Sequence, residues 1–189
     1  RVSSSAASDV YKRQTLSCPS LIIPELERFG NFLDSSKERE MSTTGIMVRL
    51  LASLLKLTEV QRYIVPIVPD EARTFGMEGL FQAAGIYSPQ GQLYQSLDGD
   101  SLMPYREAED GQILQEGITE VGAIASFMAA GSAYSVHGLP MIPFYFFYSM
   151  FGMQRVGDMI WSCGDMMCKG FLLGGTAGRT TLNLSLIHI

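Results

Sequence analysis

Apolar residues recur at intervals of three and four through Ile46, Met47, Leu50, Leu51, Leu54 and Leu55, with Arg49 and Lys56 left for the opposite face. That spacing predicts an amphipathic helix. Ser42, Thr43 and Thr44 precede it and offer N-caps, because a hydroxyl can accept from the unpaired N–H groups of a first helical turn. From Tyr63 to Val68 the pattern becomes a short run rich in β-branched residues, suited to a parallel strand buried on both faces. Glu116 to Tyr134 reads as a helix dense in Ala and Gly, small residues that permit close packing against a neighbour. Met141 to Phe147 reads as a second buried strand, Gly152 to Cys168 as another helix, and Gly170 to Leu173 as the start of a further strand. Strand, helix, strand, helix, strand at these intervals predicts right-handed βαβ crossovers and hence an α/β fold, a parallel sheet flanked by helices. Between Pro89 and Gly111 glycine, proline and polar residues dominate, the signature of a surface loop, with a short helical turn expected at Asp100 to Tyr105. The chain shows no internal repeat and no low-complexity tract.

The two ends do not share this patterning. Asp9-Val10-Tyr11-Lys12-Arg13-Gln14 is encoded by GATGTGTATAAGAGACAG, whose reverse complement, CTGTCTCTTATACACATC, reads Leu184-Ser185-Leu186-Ile187-His188-Ile189. Both ends are thus one DNA element read in opposite directions, and it resembles the transposase end adapter of sequencing libraries. Non-native tails are set aside before a fold is read. The expected organisation is an adapter-derived tail over 1–14, a linker or entry segment over 15–40, a truncated α/β domain over 41–183, and a second adapter-derived tail over 184–189. The remaining segment, Thr15 to Asn183, has 169 residues, enough for one α/β domain with a sizeable core.

Composition narrows the function classes. Setting aside Arg1, Lys12 and Arg13 from 14 basic residues, and Asp9 from 19 acidic ones, leaves 11 against 18, a net charge of −7. An acidic balance without a Lys/Arg cluster argues against a nucleic-acid partner. Cys18, Cys163 and Cys168 are odd in number and lack CxxC spacing, which argues against a disulfide framework or zinc site and for a reducing cytoplasm. The longest apolar stretch, Leu139 to Met153, is too short for a helical membrane span and carries internal proline, serine and glycine.

Two acidic motifs are the candidate chemistry. Asp70 and Glu71 follow the apolar strand ending at Pro69, and Ile118-Thr119-Glu120 opens the Ala/Gly-rich helix. Ligands of open parallel α/β sheets bind beyond the carboxyl ends of the strands and at the helices that follow. On pattern alone Glu120 is also an ordinary helix-start glutamate favoured by the helix dipole. Other motifs offer less. Gly174 to Thr180 lacks the spacing and the lysine of a P-loop and reads as a tight turn after a strand. His137 lies beside no nucleophile pattern, and Glu116, one turn before Glu120, reads as a helix-start or interface residue.

Longer runs tip the balance. Glu40-Met41-Ser42-Thr43-Thr44, the stretch from Asp70-Glu71-Ala72-Arg73-Thr74-Phe75-Gly76 to Phe81, Gly85-Ile86-Tyr87-Ser88-Pro89, Gly111 to Ile118, Leu139 to Tyr145, Tyr148 to Gly152, and Gly174 to Asn183 occur in the order found in one family. Over Pro24 to Asn183 the chain resembles the middle, pyrimidine-binding domain of the homodimeric-type pyruvate dehydrogenase, a thiamine diphosphate-dependent enzyme of the transketolase-like superfamily.

The resemblance implies a role for each matching residue. Glu120, in the Ile-x-Glu pattern, corresponds to the glutamate that hydrogen-bonds N1′ of the cofactor's aminopyrimidine and promotes loss of the thiazolium C2 proton. Phe151 matches the aromatic that stacks on the pyrimidine, with Tyr148 nearby and Ile118 as apolar wall. Asp70 and Glu71 match an acidic pair with positioning and proton-relay roles, Asp70 also touching the cofactor. The implied reaction decarboxylates pyruvate and passes the acetyl group to the lipoyl group of dihydrolipoyl acetyltransferase, in a homodimer. Mg2+ and the diphosphate belong to a Gly-Asp-Gly motif absent from this chain, so no metal ligand is assigned here and the segment alone is expected to be inactive. Related 2-oxoacid dehydrogenases and transketolases share the glutamate, and a cofactor-free α/β interaction module would use Glu120 only as a cap.

Overall fold

A computed structural model describes residues 18–34, 40–97, 99, 103–149 and 152–175. Both adapter-like tails, Phe151, and Thr176 to Thr180 lie outside the described residues. After a short helix α1 (Gly30–Leu33), the amphipathic segment forms α2 (Thr43–Leu54). Of the three candidate caps Ser42 takes the position: its hydroxyl accepts from the Gly45 N–H at 3.0 Å. Ser42→Ala is expected to destabilise the chain by about 1 kcal/mol. A lowered urea midpoint at unchanged slope would register the loss, and an unmoved midpoint would deny the cap its role.

The apolar run forms β1 (Ile64–Val68), all five residues buried. There follow α3 (Phe81–Ala84), β2 (Ile86–Tyr87), β3 (Glu107–Ala108), β4 (Leu114–Gln115) and the long helix α4 (Glu120–Val136). The described residues close with β5 (Ile142–Tyr148), α5 (Gly152–Asp165) and β6 (Phe171–Gly175). The main sheet has strand order β4-β1-β5-β6 and every pairing is parallel, with Ile64 opposite Ile142 and Phe144 opposite Phe171. β2 and β3 pair separately, also in parallel. This is the expected α/β architecture.

Alternation along the strands divides the core in two. Ile64 and Val68 of β1 with Phe144 and Phe146 of β5 pack toward α2 and the 72–86 segment, including Leu51, Phe75, Leu80 and Phe81. Val65 and Ile67 with Tyr145 and Phe147 pack the other way, against Ala123, Ile124 and Phe127 of α4 and Val156 and Cys163 of α5. The period of two in a strand sends successive side chains to opposite faces, so a helix layer covers each side. The small residues of α4 permit contact at Gly131, whose carbonyl accepts from Lys169 N–H at 2.9 Å. A Cβ there would lie 2.8 Å from the Lys169 carbonyl oxygen.

The structure corrects several boundaries. α4 begins at Glu120 and not at Glu116, because Gly117 and Ile118 both take positive φ (65° and 63°), which no helical turn accommodates. α5 stops at Asp165, three residues short of Cys168, and is interrupted at Val156 (φ −130°, ψ 19°). Gly174 and Gly175 continue strand β6 where a turn was expected. The 89–111 connector contains β3, and its described residues 103–105 are not helical; Asp100 to Leu102 of the expected turn lie outside the described residues.

Candidate functional site

The end of β1 and the start of α4 are joined by backbone. The Glu116 N–H donates to Val68 O at 3.0 Å and the Thr119 N–H to Pro69 O at 2.9 Å. These bonds pull the 116–119 turn onto the carboxyl end of the strand, so the two acidic motifs, fifty residues apart in sequence, become neighbours. Thr119 is the N-cap, its hydroxyl accepting from the Gly122 N–H at 3.2 Å. Glu120 is the first helical residue and is only 8% exposed.

A nearly buried carboxylate needs partners. Oε1 of Glu120 accepts from Arg155 of α5 at 2.6 Å, an ion pair in which the glutamate side chain is 10% and the arginine side chain 50% exposed. The arginine reaches in from solvent while the carboxylate stays under the fold. Glu120 also sits at the positive end of the α4 dipole, a position that favours negative charge. Glu116 is separate: lying before α4, its carboxylate accepts from Ser126 of that helix and lies against Gly122, a structural tie to the helix start.

The other carboxylates occupy the adjoining turn. Oδ2 of Asp70 accepts from the Tyr148 hydroxyl at 2.6 Å and its Oδ1 from the Glu71 N–H at 2.7 Å. Tyr148 ends β5 and its ring lies 5.1 Å from that of Phe75, centroid to centroid. Glu71 is exposed and pairs with Arg73 at 3.6 Å. Gln115, at the end of β4, ties this turn to the sheet: its Oε1 accepts from Ala72 N–H at 2.9 Å and its Nε2 donates to Tyr105 Oη at 3.1 Å.

Asp70, Glu71, Arg73, Tyr105, Gln115 and Ile118 line an open cleft of about 630 Å³. Glu120 and Tyr148 are not among its lining residues. Ile118 is 78% exposed at φ 63°. A β-branched residue in the left-handed region is a strained outlier of about 1–3 kcal/mol, of the kind that gathers at functional sites.

Of the residues singled out in the sequence, then, Asp70, Glu71, Ile118, Glu120 and Tyr148 meet at one end of the sheet; Phe151 lies outside the described residues. Sequence reasoning missed Arg155, Gln115, Tyr105 and Tyr145. Tyr145 is fully buried and its hydroxyl has no hydrogen-bond partner among the described residues. The one signal available for Arg155 was a lone cation in a helix beside an apolar strand.

Burial raises the pKa of three phenols. Tyr105 is pushed up to about 12, burial first and the Glu107 charge second. Tyr145 rises by burial and by the charge of Glu120, and Tyr148 by burial and by its bond to Asp70. In the unfolded chain these groups lose their protons near 10.0, the ordinary value. Above that pH the unfolded state therefore binds fewer protons than the folded one, and stability falls as pH rises. Urea midpoints should decline steadily from about pH 10 upward; a constant midpoint through pH 11.5 would contradict these environments.

The site has a carboxylate acceptor near a buried, unpartnered phenol, with further carboxylates close by. Such a set suits a nitrogen heterocycle that presents a ring nitrogen or amino group. Among the described residues no group of three or more His, Cys, Asp or Glu could hold a metal ion. No helix of the described residues is long and apolar enough to cross a membrane.

The chain is similar to known proteins. Residues 21–188 match the family model for the pyruvate dehydrogenase E1 component middle domain. The chain is 56% identical over 174 residues to the pyruvate dehydrogenase E1 component of Pseudomonas aeruginosa, covering 92% of this chain and 19% of that protein. It is 55% identical over 163 residues to the Escherichia coli K12 protein of the same name, covering 86% of this chain and 18% of the relative. The chain thus spans about a fifth of the length of the curated relatives it matches. With the family model covering most of its length and this identity beside it, the chain belongs to the pyruvate dehydrogenase E1 component middle domain family.

Proposed function

We propose that this chain holds the aminopyrimidine end of thiamine diphosphate in a pyruvate dehydrogenase (acetyl-transferring). The observation that carries the reading is Glu120, nearly buried at the first position of α4 and joined to the end of β1 through the Thr119–Pro69 hydrogen bond. When bound, the cofactor supplies the carbon nucleophile and electron sink for decarboxylating a 2-oxoacid.

The chain's own residues bind and orient. Glu120 would accept a hydrogen bond from N1′ of the pyrimidine and stabilise a proton there, with Arg155 orienting its carboxylate. Tyr148 would lie beside the ring and Ile118 would provide apolar wall; the stacking role that the family likeness gives Phe151 falls on a residue outside the described ones. Asp70, held by the Tyr148 hydroxyl and the Glu71 N–H, would help to position the aminopyrimidine, and Glu71, exposed at the cleft, would relay protons. The metal and the diphosphate would be held by a Gly-Asp-Gly motif in another domain of the larger protein. The larger protein acts on pyruvate as a homodimer and reductively acetylates the lipoyl group of dihydrolipoyl acetyltransferase in the cytoplasm.

The test is turnover by the full-length parent protein with an artificial electron acceptor, with and without thiamine diphosphate. Cofactor-dependent oxidation of pyruvate is the expected result. Preference for 2-oxoglutarate would move the assignment to a sister dehydrogenase, and turnover independent of the cofactor would remove the basis for the reading.

A further inference from the structure

The C-terminus of α5 places two cysteines against each other. The Cys168 N–H donates to Cys163 O and the Met167 N–H to Gly164 O, each at 2.9 Å, and Met167 takes a left-handed φ of 53°. This six-to-one and five-to-two pairing around a left-handed residue is the Schellman end of a helix, whose third-from-last and second-following side chains characteristically meet. Here those positions are Cys163 and Cys168. Both are free thiols, and Cys168 packs against the core cluster that contains Cys163. Cys163 is 6% exposed within the core between α4 and α5, and Cys168 is half-buried. The Cys168 thiol also leans on Met128 O at 3.8 Å, and its Cβ would stand 3.0 Å from a Cβ at Gly131. The pair is therefore fixed on α4 as well as on its own helix.

We propose that Cys163 and Cys168 form an oxidation site, a dithiol that hydrogen peroxide converts to an internal disulfide. Cys168, the more exposed of the two, reacts first: its sulfur takes one peroxide oxygen as the O–O bond breaks, giving a sulfenic acid and one water. The Cys163 sulfur then displaces that oxygen, forming the S–S bond and releasing a second water. In sum two thiols lose two hydrogens and two electrons to one peroxide. Burial pushes both thiols up, Cys163 to about 11 with the neighbouring sulfur adding to it, so access decides the order: the half-buried Cys168 meets peroxide first and the buried Cys163 is the resolving thiol. Cys18, in the N-terminal segment with its thiol on its own neighbour's carbonyl at 3.6 Å, has no such partner thiol and serves as an internal control.

The test is peroxide treatment of the intact chain, followed by alkylation under denaturing conditions and peptide mass analysis. The expected result is a peptide pair lighter by two hydrogens, with Cys163 and Cys168 protected from alkylation and Cys18 alkylated. Sulfinic or sulfonic acid at Cys168 with Cys163 still alkylated would overturn the proposal, as would equal alkylation of all three before and after treatment. Cys163→Ser gives an independent check, because loss of the resolving thiol should let Cys168 advance to sulfinic acid at the same peroxide dose. If that variant fails to fold, Cys168→Ser reads the same pair from the exposed side: Cys163 should then stay alkylatable after treatment, and protection of Cys163 would contradict the pairing.

Discussion

Glu120→Gln in the full-length protein is expected to lower thiamine diphosphate-dependent pyruvate turnover by about a hundredfold or more, the span of a positioned acid–base group. Glutamine keeps the length and planar end of the side chain, so the packing of α4 changes little. What it removes is the charge, and with it the capacity to stabilise a proton on the ring nitrogen. The site invests in that charge: the carboxylate is 8% exposed, begins the helix, and has an arginine at 2.6 Å. A residue acting only at the helix start would give a different pair of numbers, a stability change under about 1 kcal/mol and turnover near wild type. Measuring both in one variant separates the readings. Low turnover at unchanged urea midpoint supports the cofactor role, and wild-type turnover contradicts it.

Gly111→Ala is expected to destabilise the chain by about 3 kcal/mol, the upper part of the range for forcing atoms into packed space. A Cβ at Gly111 would lie 2.5 Å from both the carbonyl carbon and oxygen of Ile86 and 2.6 Å from Tyr87 N. All three are backbone atoms, so no side chain can turn aside to relieve the contact. The segment cannot move away cheaply either. Gln112 N–H bonds Ala84 O, Ile113 N–H bonds Gly85 O, and Tyr87 N–H returns to Ile113 O, each at 2.9 to 3.0 Å. Displacing this segment also moves Gln115, which fixes Ala72 in the turn that carries Asp70 and Glu71. Loss of stability should therefore come with weakened cofactor binding in the full-length protein. A variant with an unchanged urea midpoint would show that the close approach at Gly111 is not a structural constraint.

Much of the architecture was legible because the pattern and the fold share a period. The apolar spacing of 46–55 gives α2, and Tyr145 and Phe147 alternate with Phe144 and Phe146 across the sheet as a buried strand must. β4 was not legible, since a strand of two residues has no period, and its place at the sheet edge depends on pairing with Ile67 and Val68. The start of α4 differs by four residues from the expected one because a β-branched Ile118 gives no sign of a positive φ, although Gly117 permits one; backbone bonds to Val68 and Pro69 bracket the two. Within the site, Asp70 and Tyr148, expected from a matching motif, are joined by a hydrogen bond. Arg155 could not be named in advance, because its partner lies 35 positions away and is chosen by how α5 crosses the start of α4. Tyr145 was hidden for the opposite reason: inside an aromatic strand it looks like any other core ring until its hydroxyl is found without a partner.

The claim that the first residue of α4 activates a bound cofactor is tested most directly by proton exchange, apart from any later step of turnover. In the full-length protein loaded with thiamine diphosphate and Mg2+, the rate at which the thiazolium C2 proton exchanges with deuterated solvent can be followed by rapid acid quench and proton NMR. The account predicts exchange about a hundredfold slower or more in Glu120→Gln than in wild type, with cofactor still bound in both. Equal exchange rates in the two proteins would contradict it and leave Glu120 a helix-start residue paired with Arg155.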